Sequence, residues 1–596
     1  MAYRGNAMIC TCTNCVSNGA LRVKDALEAE IAKHKLENDV QIVPTGASGL
    51  CVKGPILIVQ PEGIFYQLLT VKDVPHLVEE HFLKGRPVES LMYALPGEEA
   101  PIPKMRDIPF FQNQRLIALR NRGLIDPDKI EEYIARDGYK ALSKVLTSMT
   151  PEEVIQELKD SGLRGRGGAG FPTGLKWELC RKAAETPKYI ICNADEGDPG
   201  AFMDRSIIEA DPFSILEGMA IGAYAMGGTD GYIYIRIEYP LAIERMITAI
   251  EQAREYGLLG EDIFGLGFSF DVKVFQGAGA FVCGEETSLI HSIEGRPAEP
   301  RIRPPFPAQS GLWGKPTNIN NVETWANVPV IINWGAKWFA KIGTETSKGT
   351  KVFSLAGNIN NAGLVEVPMG ITLREIVYDI GGGIPKGKQL KAVQTGGPSG
   401  GFIPTSLLDL PVDYERLQEA GAIMGSGGMI VVDEETCMVD VAGYFLDFLR
   451  SESCGKCTTC REGVAAMRDI LSDISSGKGD LGQLLLLEDL GEAVRDASLC
   501  ALGGTAPNCV LSTLRYFRDE YEAHINDKKC PAGVCRELIR YRIDAEKCKG
   551  CMLCSKYCPE EAIAGETKEA HIIDEEKCIK CGACREACKF EAVVVE

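Results

Sequence analysis

The spacing of apolar residues divides the 596-residue chain into stretches of different character. Leu21, Val23, Leu27 and Ile31 have helical periodicity within residues 21–34, and Ile56–Gln60 is a short apolar run. Residues 1–120 therefore predict a small α/β unit. A stretch carrying Pro96, Pro101, Pro103 and Pro109 follows as a linker. Thr150-Pro-Glu-Glu-Val then opens a helix that runs to Ser161, with Thr150 suited to the N-cap and Pro151 to the first helical position. From there to about residue 330, runs at Tyr189–Cys192, Gly231–Ile237 and Asp271–Phe275 predict the strands of a large α/β region. Residues 350–430 alternate short apolar strands with one helix (Thr372–Tyr378) and Gly clusters, a compact β-rich unit. Residues 434–525 read as helical, and a short tail begins near Tyr541.

Composition narrows the classes. The chain is long enough for several domains, because single cores rarely grow beyond about 250–300 residues. A formal charge of −19 disfavours nucleic acid, which such a surface would repel. No run approaches the roughly 20 apolar residues of a membrane helix, and the stretch around Ile215–Gly228 is broken by Glu217. No apolar run follows Met1-Ala-Tyr-Arg-Gly-Asn, so a cytoplasmic location without a membrane span is expected.

Most of the 23 cysteines fall into groups with metal-ligand spacing. The tail reads Cys548-x-x-Cys551-x-x-Cys554-x-x-x-Cys558-Pro559 and repeats the spacing with Cys578, Cys581, Cys584 and Cys588. This is the two-cluster ferredoxin run, in which three close thiolates hold one 4Fe–4S cube and the fourth ligates the other. Crossed ligation assigns Cys548, Cys551, Cys554 and Cys588 to one cube and Cys578, Cys581, Cys584 and Cys558 to its partner. Zinc normally takes its ligands as separated pairs, which argues against zinc knuckles here.

Gly165-Arg166-Gly167-Gly168-Ala-Gly170 matches G-x-G-x-x-G, but a helix precedes it where a dinucleotide fingerprint needs a strand. Unbranched glycine still lets backbone N–H groups approach a phosphate, and Arg164, Arg166 and Lys176 add positive charge. Asn193-Ala-Asp195-Glu196-Gly-Asp198 follows a strand, Gly284-Glu285-Glu286 follows another apolar segment, and Asn320-Asn321-Val-Glu-Thr324 adds amides and a hydroxyl. Such groups at strand ends suit a flat polar heterocycle.

Taken together, Gly165–Trp177, Asn193-Ala-Asp-Glu, Gly284-Glu-Glu-Thr287 and Pro304-Pro-Phe-Pro307 resemble the FMN- and NADH-binding subunit of respiratory complex I, over about residues 150–510. With its cysteine-bearing ends, the whole chain resembles the beta subunit of electron-bifurcating iron hydrogenases; NADP-reducing hydrogenases and some soluble formate dehydrogenases carry similar subunits. The resemblance implies that the Gly165–Gly170 loop and Lys176 hold FMN, with Asn193, Asp195, Glu285, Asn320, Asn321 and Thr324 around it, and that Glu196, Asp198 and Gly284 belong to the cofactor-binding set. It implies that Phe171 and Phe306 sandwich the adenine of NAD(H), with Glu286 on its ribose. Arg303 stands where the family has lysine, and Asp198 where it has glutamate. Both changes keep charge and alter reach, which leaves NAD against NADP open.

Three further cysteine groups extend this reading. Cys454-x-x-Cys457-x-x-Cys460 opens a helix, with Cys500 as the natural fourth thiolate of a third 4Fe–4S cube, as in the family. Cys509, His524, Cys530 and Cys535 suit tetrahedral zinc, the alternative being a surface His524 and a buried, apolar Cys509. Cys10, Cys12, Cys15 and Cys51 resemble thioredoxin-like 2Fe–2S domains; Ala47 occupies the third-cysteine position, and Cys12 is an extra thiol that could substitute, the alternative being a domain without a cluster. Cys180, Cys192, Cys283 and Cys437 read as core residues.

The fold expected is a multidomain α/β chain. It comprises a thioredoxin-like domain (1–120), a Rossmann-like FMN and NAD(H) domain (121–334), a β-grasp domain of the SLBB kind (335–433), a helical 4Fe–4S bundle (434–540) and a two-cluster ferredoxin domain (541–596). The expected function is a flavin-containing NAD(H) oxidoreductase subunit of a soluble bifurcating hydrogenase. Its implied partners are a hydrogenase catalytic subunit, a small thioredoxin-like 2Fe–2S subunit and ferredoxin in a hetero-oligomer. The alternatives are a non-bifurcating NADH-oxidising module of a formate dehydrogenase or quinone reductase, and an electron-transfer scaffold without nucleotide binding.

Overall fold

The computed structural model describes residues 3–596, which form two compact units, 3–431 with 499–502 and 432–498 with 503–596. In the first unit the opening sheet has the order Val40–Thr45, Gly5–Cys10, Leu57–Gln60, Ile64–Tyr66. Its first pair is parallel and the others antiparallel. Helix Ala20–Lys33 covers it by burying Ala20, Val23, Leu27 and Ile31, while Leu21 is 47% exposed. The buried stripe is thus one residue out of the expected phase at its start, because Ala20 rather than Leu21 meets the sheet. The proline-rich stretch is ordered as a ribbon, Tyr93–Ala94 with Pro101–Ile102, and a turn of helix at Pro109–Gln112.

The capped helix forms over Pro151–Ser161, and Thr150 and Glu153 exchange a full capping box there, a device worth about 1 kcal/mol. It leads into a five-stranded sheet of order Thr317–Asn321, Tyr189–Ala194, Asp230–Arg236, Phe268–Gly277, Gly260–Ile263. The first four strands are parallel. Their near-continuous apolar character fits a sheet buried on both faces. Helices Pro212–Met226 and Val322–Trp334 are buried almost all round.

A third sheet has the order Gly363–Pro368, Thr350–Gly357, Gly428–Asp433, Leu390–Thr395, Gly401–Pro404. Two antiparallel hairpins flank the central strand Gly428–Asp433, which runs parallel to Thr350–Gly357, the β-grasp arrangement expected. The second unit opens with helices Met438–Glu452, Thr458–Ser475 and Leu481–Ala497 and closes with the ferredoxin-like tail. That tail is two copies of one pattern. Strands Tyr541–Ile543 and Val593–Val595 pair at one end, Ile563–Ala564 and Ile572–Ile573 at the other, and helices Leu553–Tyr557 and Ala583–Ala587 lie between.

Candidate functional site

The parallel sheet grows outward from Tyr189–Ala194 through Asp230–Arg236 to Phe268–Gly277, then returns to add Thr317–Asn321 on the opposite side of the first strand. That reversal is a topological switch point, and in open α/β sheets ligands bind beyond the carboxyl ends of the strands at such a point. Asn193 and Asn321 pair across it, and Cys192 pairs with Asn320. The amides and carboxylates named from the sequence follow directly from these strand ends.

The glycine loop is a closed hairpin between two helices. Gly165 N–H donates to the Phe171 carbonyl and Thr173 N–H to that of Leu163, both at 2.9 Å. Arg166 N–H donates to Thr324 Oγ1 at 2.9 Å, which ties the loop to helix Val322–Trp334. Gly168 has φ +116°, and a Cβ there would lie 3.1 Å from the Gly425 carbonyl carbon. Only glycine fits this turn between the α/β sheet and the 425–427 loop.

The three cations expected at a phosphate part company. Arg166 is fully buried, and its guanidinium donates to the carbonyls of Thr350 (2.9 Å), Arg164 (2.8 Å) and Lys348 (2.6 Å). Its charge is therefore a strut beneath the loop, a correction to its expected place around FMN, although its backbone still lines the turn. A buried guanidinium must be fully partnered, and these carbonyls do that. Arg164 is likewise held, 4.3 Å over the Tyr414 ring and bonded to the Gly170 carbonyl and Glu415. Lys176 stays partly exposed; its Nζ contacts the Glu286 carboxylate and the Ile319 carbonyl, the latter at 2.6 Å.

Several polar side chains shape the backbone they stand on. Glu285 caps helix Glu286–Ile293 by accepting from Thr287 N and Ser288 N at 2.9 Å. Glu196 accepts from Asp204 N and Arg205 N at the start of Met203–Ala210. Asn193 donates to the Gly284 carbonyl at 2.9 Å and accepts from Asp195 N, binding two site loops together. Asn320 accepts from Trp177 Nε1, and Asn321 donates to Asp204 at 2.6 Å. Asp204 and Ser426 are not legible in the sequence, because neither lies in a motif. Burial pushes the Glu196 and Asp204 carboxyls up, and pushes Asp198 up to about 6 while Ser426 Oγ donates to it at 2.8 Å.

Phe171 and Phe306 are 46% and 53% exposed, and Ile302 beside Arg303 is 74% exposed. An exposed aromatic ring, Phe171, at the end of a glycine loop fits a ligand with flat rings and phosphates. The residues present therefore suit FMN and a nicotinamide dinucleotide.

Four sets of thiols accompany this cleft. Cys10, Cys12 and Cys15 bring their sulfurs within 4.8 Å of one another, so the extra thiol Cys12 joins the group. Cys51 is buried nearby and donates to the Gly49 carbonyl. Hydrogen bonds from Cys12 and Cys15 hold Cys10 well below the ordinary thiol range, whereas burial pushes Cys51 up to about 12. The group is docked on the flavin region, since Thr13 N–H donates to Glu209 and Arg205 to Asn14. In the second unit Cys457 stands at the N-cap position of helix Thr458–Ser475, with Cys454 before it and Cys460 in its first turn. Cys500 belongs to the 499–502 stretch that groups with the first unit.

The histidine-containing set differs from expectation in one member. His524, Cys530 and Cys535 converge with Cys437, all four buried, and Cys509 is elsewhere, directed at the Ala506 carbonyl of its own neighbourhood. Cys509 sits inside helix Asn508–Tyr516 and packs as a small apolar residue, whereas Cys437 stands at the N-cap position of helix Met438–Glu452. His524 Nε2 lies 3.4 Å from Cys437 Sγ and 3.3 Å from Cys535 Sγ, and its Nδ1 lies 2.6 Å from the Glu520 carbonyl. A carbonyl at Nδ1 fixes the proton there and presents Nε2 as a ligand. Hydrogen bonds from Cys437 and Cys535 drive the Cys530 thiol far down, the condition for a metal-binding thiolate.

In the tail, Cys558 lines one cavity with Cys578, Cys581 and Cys584, and Cys588 lines the other with Cys548, Cys551 and Cys554. Ala562 N–H and Ala592 N–H donate to Cys558 and Cys588 at 3.3 Å. Four thiols around each cavity, with backbone donors to sulfur, fit two 4Fe–4S cubes.

Residues 158–330 match the Nuo51 FMN-binding domain, 352–403 the SLBB domain, 440–524 the NADH-ubiquinone oxidoreductase-F iron-sulfur binding region, and 540–589 a 4Fe-4S dicluster domain. The chain is 60% identical over 460 residues to the NADP-reducing hydrogenase subunit HndC of Solidesulfovibrio fructosivorans, covering 77% of this chain and 94% of that one. It is 48% identical to the F 2 subunit of the NADH-quinone oxidoreductase of Rhizobium meliloti, over 70% of this chain and 99% of that one. The crystal structure of an NAD+-reducing [NiFe]-hydrogenase in the H2-reduced state superposes with a TM-score of 0.62 at 28% identity, over 88% of this chain and 85% of that chain. The chain belongs to the family of FMN-binding flavoproteins that includes the F subunits of NADH-quinone oxidoreductases and hydrogenase subunits of the same build, and it is an NAD(P)-dependent oxidoreductase of that type.

Proposed function

We propose that the chain is the flavoprotein component of a hydrogenase complex that bifurcates electrons, exchanging them between NAD(H), a hydrogenase catalytic subunit and ferredoxin. The observation that carries this reading is the presence of thiol groups at both ends of the chain, outside the bundle cysteines: the Cys10–Cys12–Cys15 group and the two cavities of the tail. A single exit for electrons would need neither. The identity with a component of an NADP-reducing hydrogenase supports the hydrogenase link.

FMN, when bound, supplies the conversion between the paired electrons of a nicotinamide and the single electrons of iron–sulfur clusters. The chain's own part is to hold and screen. The Gly165–Gly170 backbone would hold the phosphate of FMN, Asn193, Asp195, Asn320 and Asn321 would hold its ring and ribityl chain, and Phe171 and Phe306 would hold the adenine of the nicotinamide cofactor. Glu286, held by Lys176, takes the ribose. Cys10, Cys12, Cys15 and Cys51 would hold a 2Fe–2S cluster. Cys437, His524, Cys530 and Cys535 would hold a structural zinc. The complex is placed in the cytoplasm, with a small thioredoxin-like 2Fe–2S subunit as a further partner. No helix among the described residues is long and apolar enough to cross a membrane.

The test uses the assembled complex. Hydrogen should reduce ferredoxin only when FMN and an oxidised nicotinamide are both present. Equal ferredoxin reduction without the nicotinamide would refute bifurcation. The identity with an F subunit of NADH-quinone oxidoreductase favours a second reading, a non-bifurcating NADH-oxidising module, and co-purifying subunits distinguish the two.

A further inference from the structure

The two halves of the tail superimpose residue for residue in sequence, and their cysteine environments match almost throughout. Cys548 and Cys578 are half-buried, Cys551 and Cys581 exposed, Cys554 and Cys584 buried, and Cys558 and Cys588 half-buried. The backbone donors match too, Ala562 to Cys558 and Ala592 to Cys588, each at 3.3 Å. Exposure and main-chain hydrogen bonding, two of the terms that set cluster potential, are therefore equal for the two sites.

The side chains that face the cavities are not equal. Tyr541 and His571 hold equivalent positions, each at the head of its half and seven residues before the first cysteine. Tyr541 lines the cavity of Cys558, Cys578, Cys581 and Cys584. His571 lines that of Cys548, Cys551, Cys554 and Cys588; it is 2% exposed, with Nδ1 3.8 Å from Cys548 Sγ. The imidazole is firmly seated. Its Nε2 lies 3.0 Å from Met552 Sδ, and Met552 stands at φ +63° where the other half has Gly582 at φ +81°. A left-handed methionine is strained where glycine is not, and here its side chain packs against the histidine ring. In the other half a Cβ on Gly582 would lie 3.2 Å from the Tyr541 hydroxyl, so the small residue makes room for the large ring. Two further exchanges act in the same direction: Lys549 faces the histidine cavity where Ile579 faces the other, and Glu560 faces the tyrosine cavity where Phe590 faces its twin.

We infer that this asymmetry orders the two cubes: His571 is a positioning residue that, with Lys549, gives the cube on Cys548, Cys551, Cys554 and Cys588 the higher reduction potential. A sulfur that ligates iron has no proton and only accepts, so the imidazole nitrogen facing Cys548 acts as donor. Donors and positive charge near a cluster favour its reduced, more negative form, and Glu560 disfavours that form in the other cube. Electrons then pass along the tail in a fixed order, with the Cys578 cube as the low-potential end. This rests on the reading of the tail as a two-cube domain.

The test is an EPR-monitored redox titration of the anaerobically assembled full-length complex, with iron content measured alongside. His571→Tyr should lower the potential of one cube and shrink the gap between the two. The reciprocal Tyr541→His should raise the potential of the other cube and shrink the gap from the opposite side. Lys549→Ile should act like His571→Tyr, more weakly. If both reciprocal variants keep full iron and neither potential moves, the inference is wrong. If His571→Tyr sheds its cube, Tyr541→His decides alone. Wild-type protein in which the tail shows only one cube would instead refute the two-cube reading itself.

Discussion

His524 Nε2 lies 3.4 Å from Cys437 Sγ, although the two residues are 87 positions apart in the chain. Cys437 heads the first helix of the second unit, and His524 lies at the start of the helical turn Ala523–Asp527, before the loop carrying Cys530 and Cys535. A metal held by these four would clamp the bundle's beginning to its end, and closing so long a loop restricts the unfolded chain more than a local site does. Cys437→Ala should therefore lose one equivalent of zinc per chain by elemental analysis, whereas Cys509→Ala should keep it. The opposite pattern would restore Cys509 as the ligand.

Beneath the glycine loop, Glu323 receives Lys351 Nζ and the Val352 N–H, and lies 3.8 Å from Arg166; all three charged groups are almost fully buried. Removing one partner of a buried pair leaves an uncompensated charge and costs about 3–5 kcal/mol. Lys351→Met should thus weaken the shelf that supports the flavin loop. The urea concentration for half-release of FMN should fall markedly, with the 4Fe–4S signals of the tail unchanged. Release at the wild-type urea concentration would mean that the pair bears little on the loop.

Much of this organisation is legible from residue spacing. The cysteine runs, the capped helix at Pro151 and the strands around Asn193 all follow from local pattern, because their chemistry is written within a dozen residues. What escapes such reading is set by distant partners. Cys437 stands alone in the sequence, and its one local sign is a cysteine at a helix N-cap, a place usually held by Ser, Thr, Asp or Asn. Arg166 resembles a phosphate ligand because it sits among glycines, and only the carbonyls of Thr350 and Lys348, far along the chain, turn it inward. Asp204 and Ser426 lie outside every motif and reach the cleft through tertiary packing alone.

The exposed rings of Phe171 and Phe306 carry a kinetic prediction. Stacking of a base on an aromatic ring is worth about 1–3 kcal/mol by alanine substitution. Phe306→Ala and Phe171→Ala should each raise the KM for the nicotinamide substrate roughly 5- to 150-fold while FMN content stays at the wild-type level. Steady-state assays with an artificial electron acceptor would show this directly. Unchanged KM in both variants would place the adenine elsewhere.

Asp198 offers a test with a sign. Burial raises its carboxyl from the ordinary 3.8 to about 6, against the opposing hydrogen bond from Ser426. The folded protein thus holds this proton more tightly than the unfolded chain does, so the group's contribution to stability is complete below about pH 4 and is lost as pH rises through about 6. Above that, a carboxylate stands in the cleft with the Ser426 hydroxyl as its bonded partner. Asp198→Asn keeps an acceptor for Ser426 and carries no charge. The thermal midpoint of the variant, measured against wild type, should therefore gain between pH 4 and pH 8, with most of the change complete by about pH 6. A difference that is the same at both pH values would show that Asp198 titrates as an ordinary solvated carboxylate.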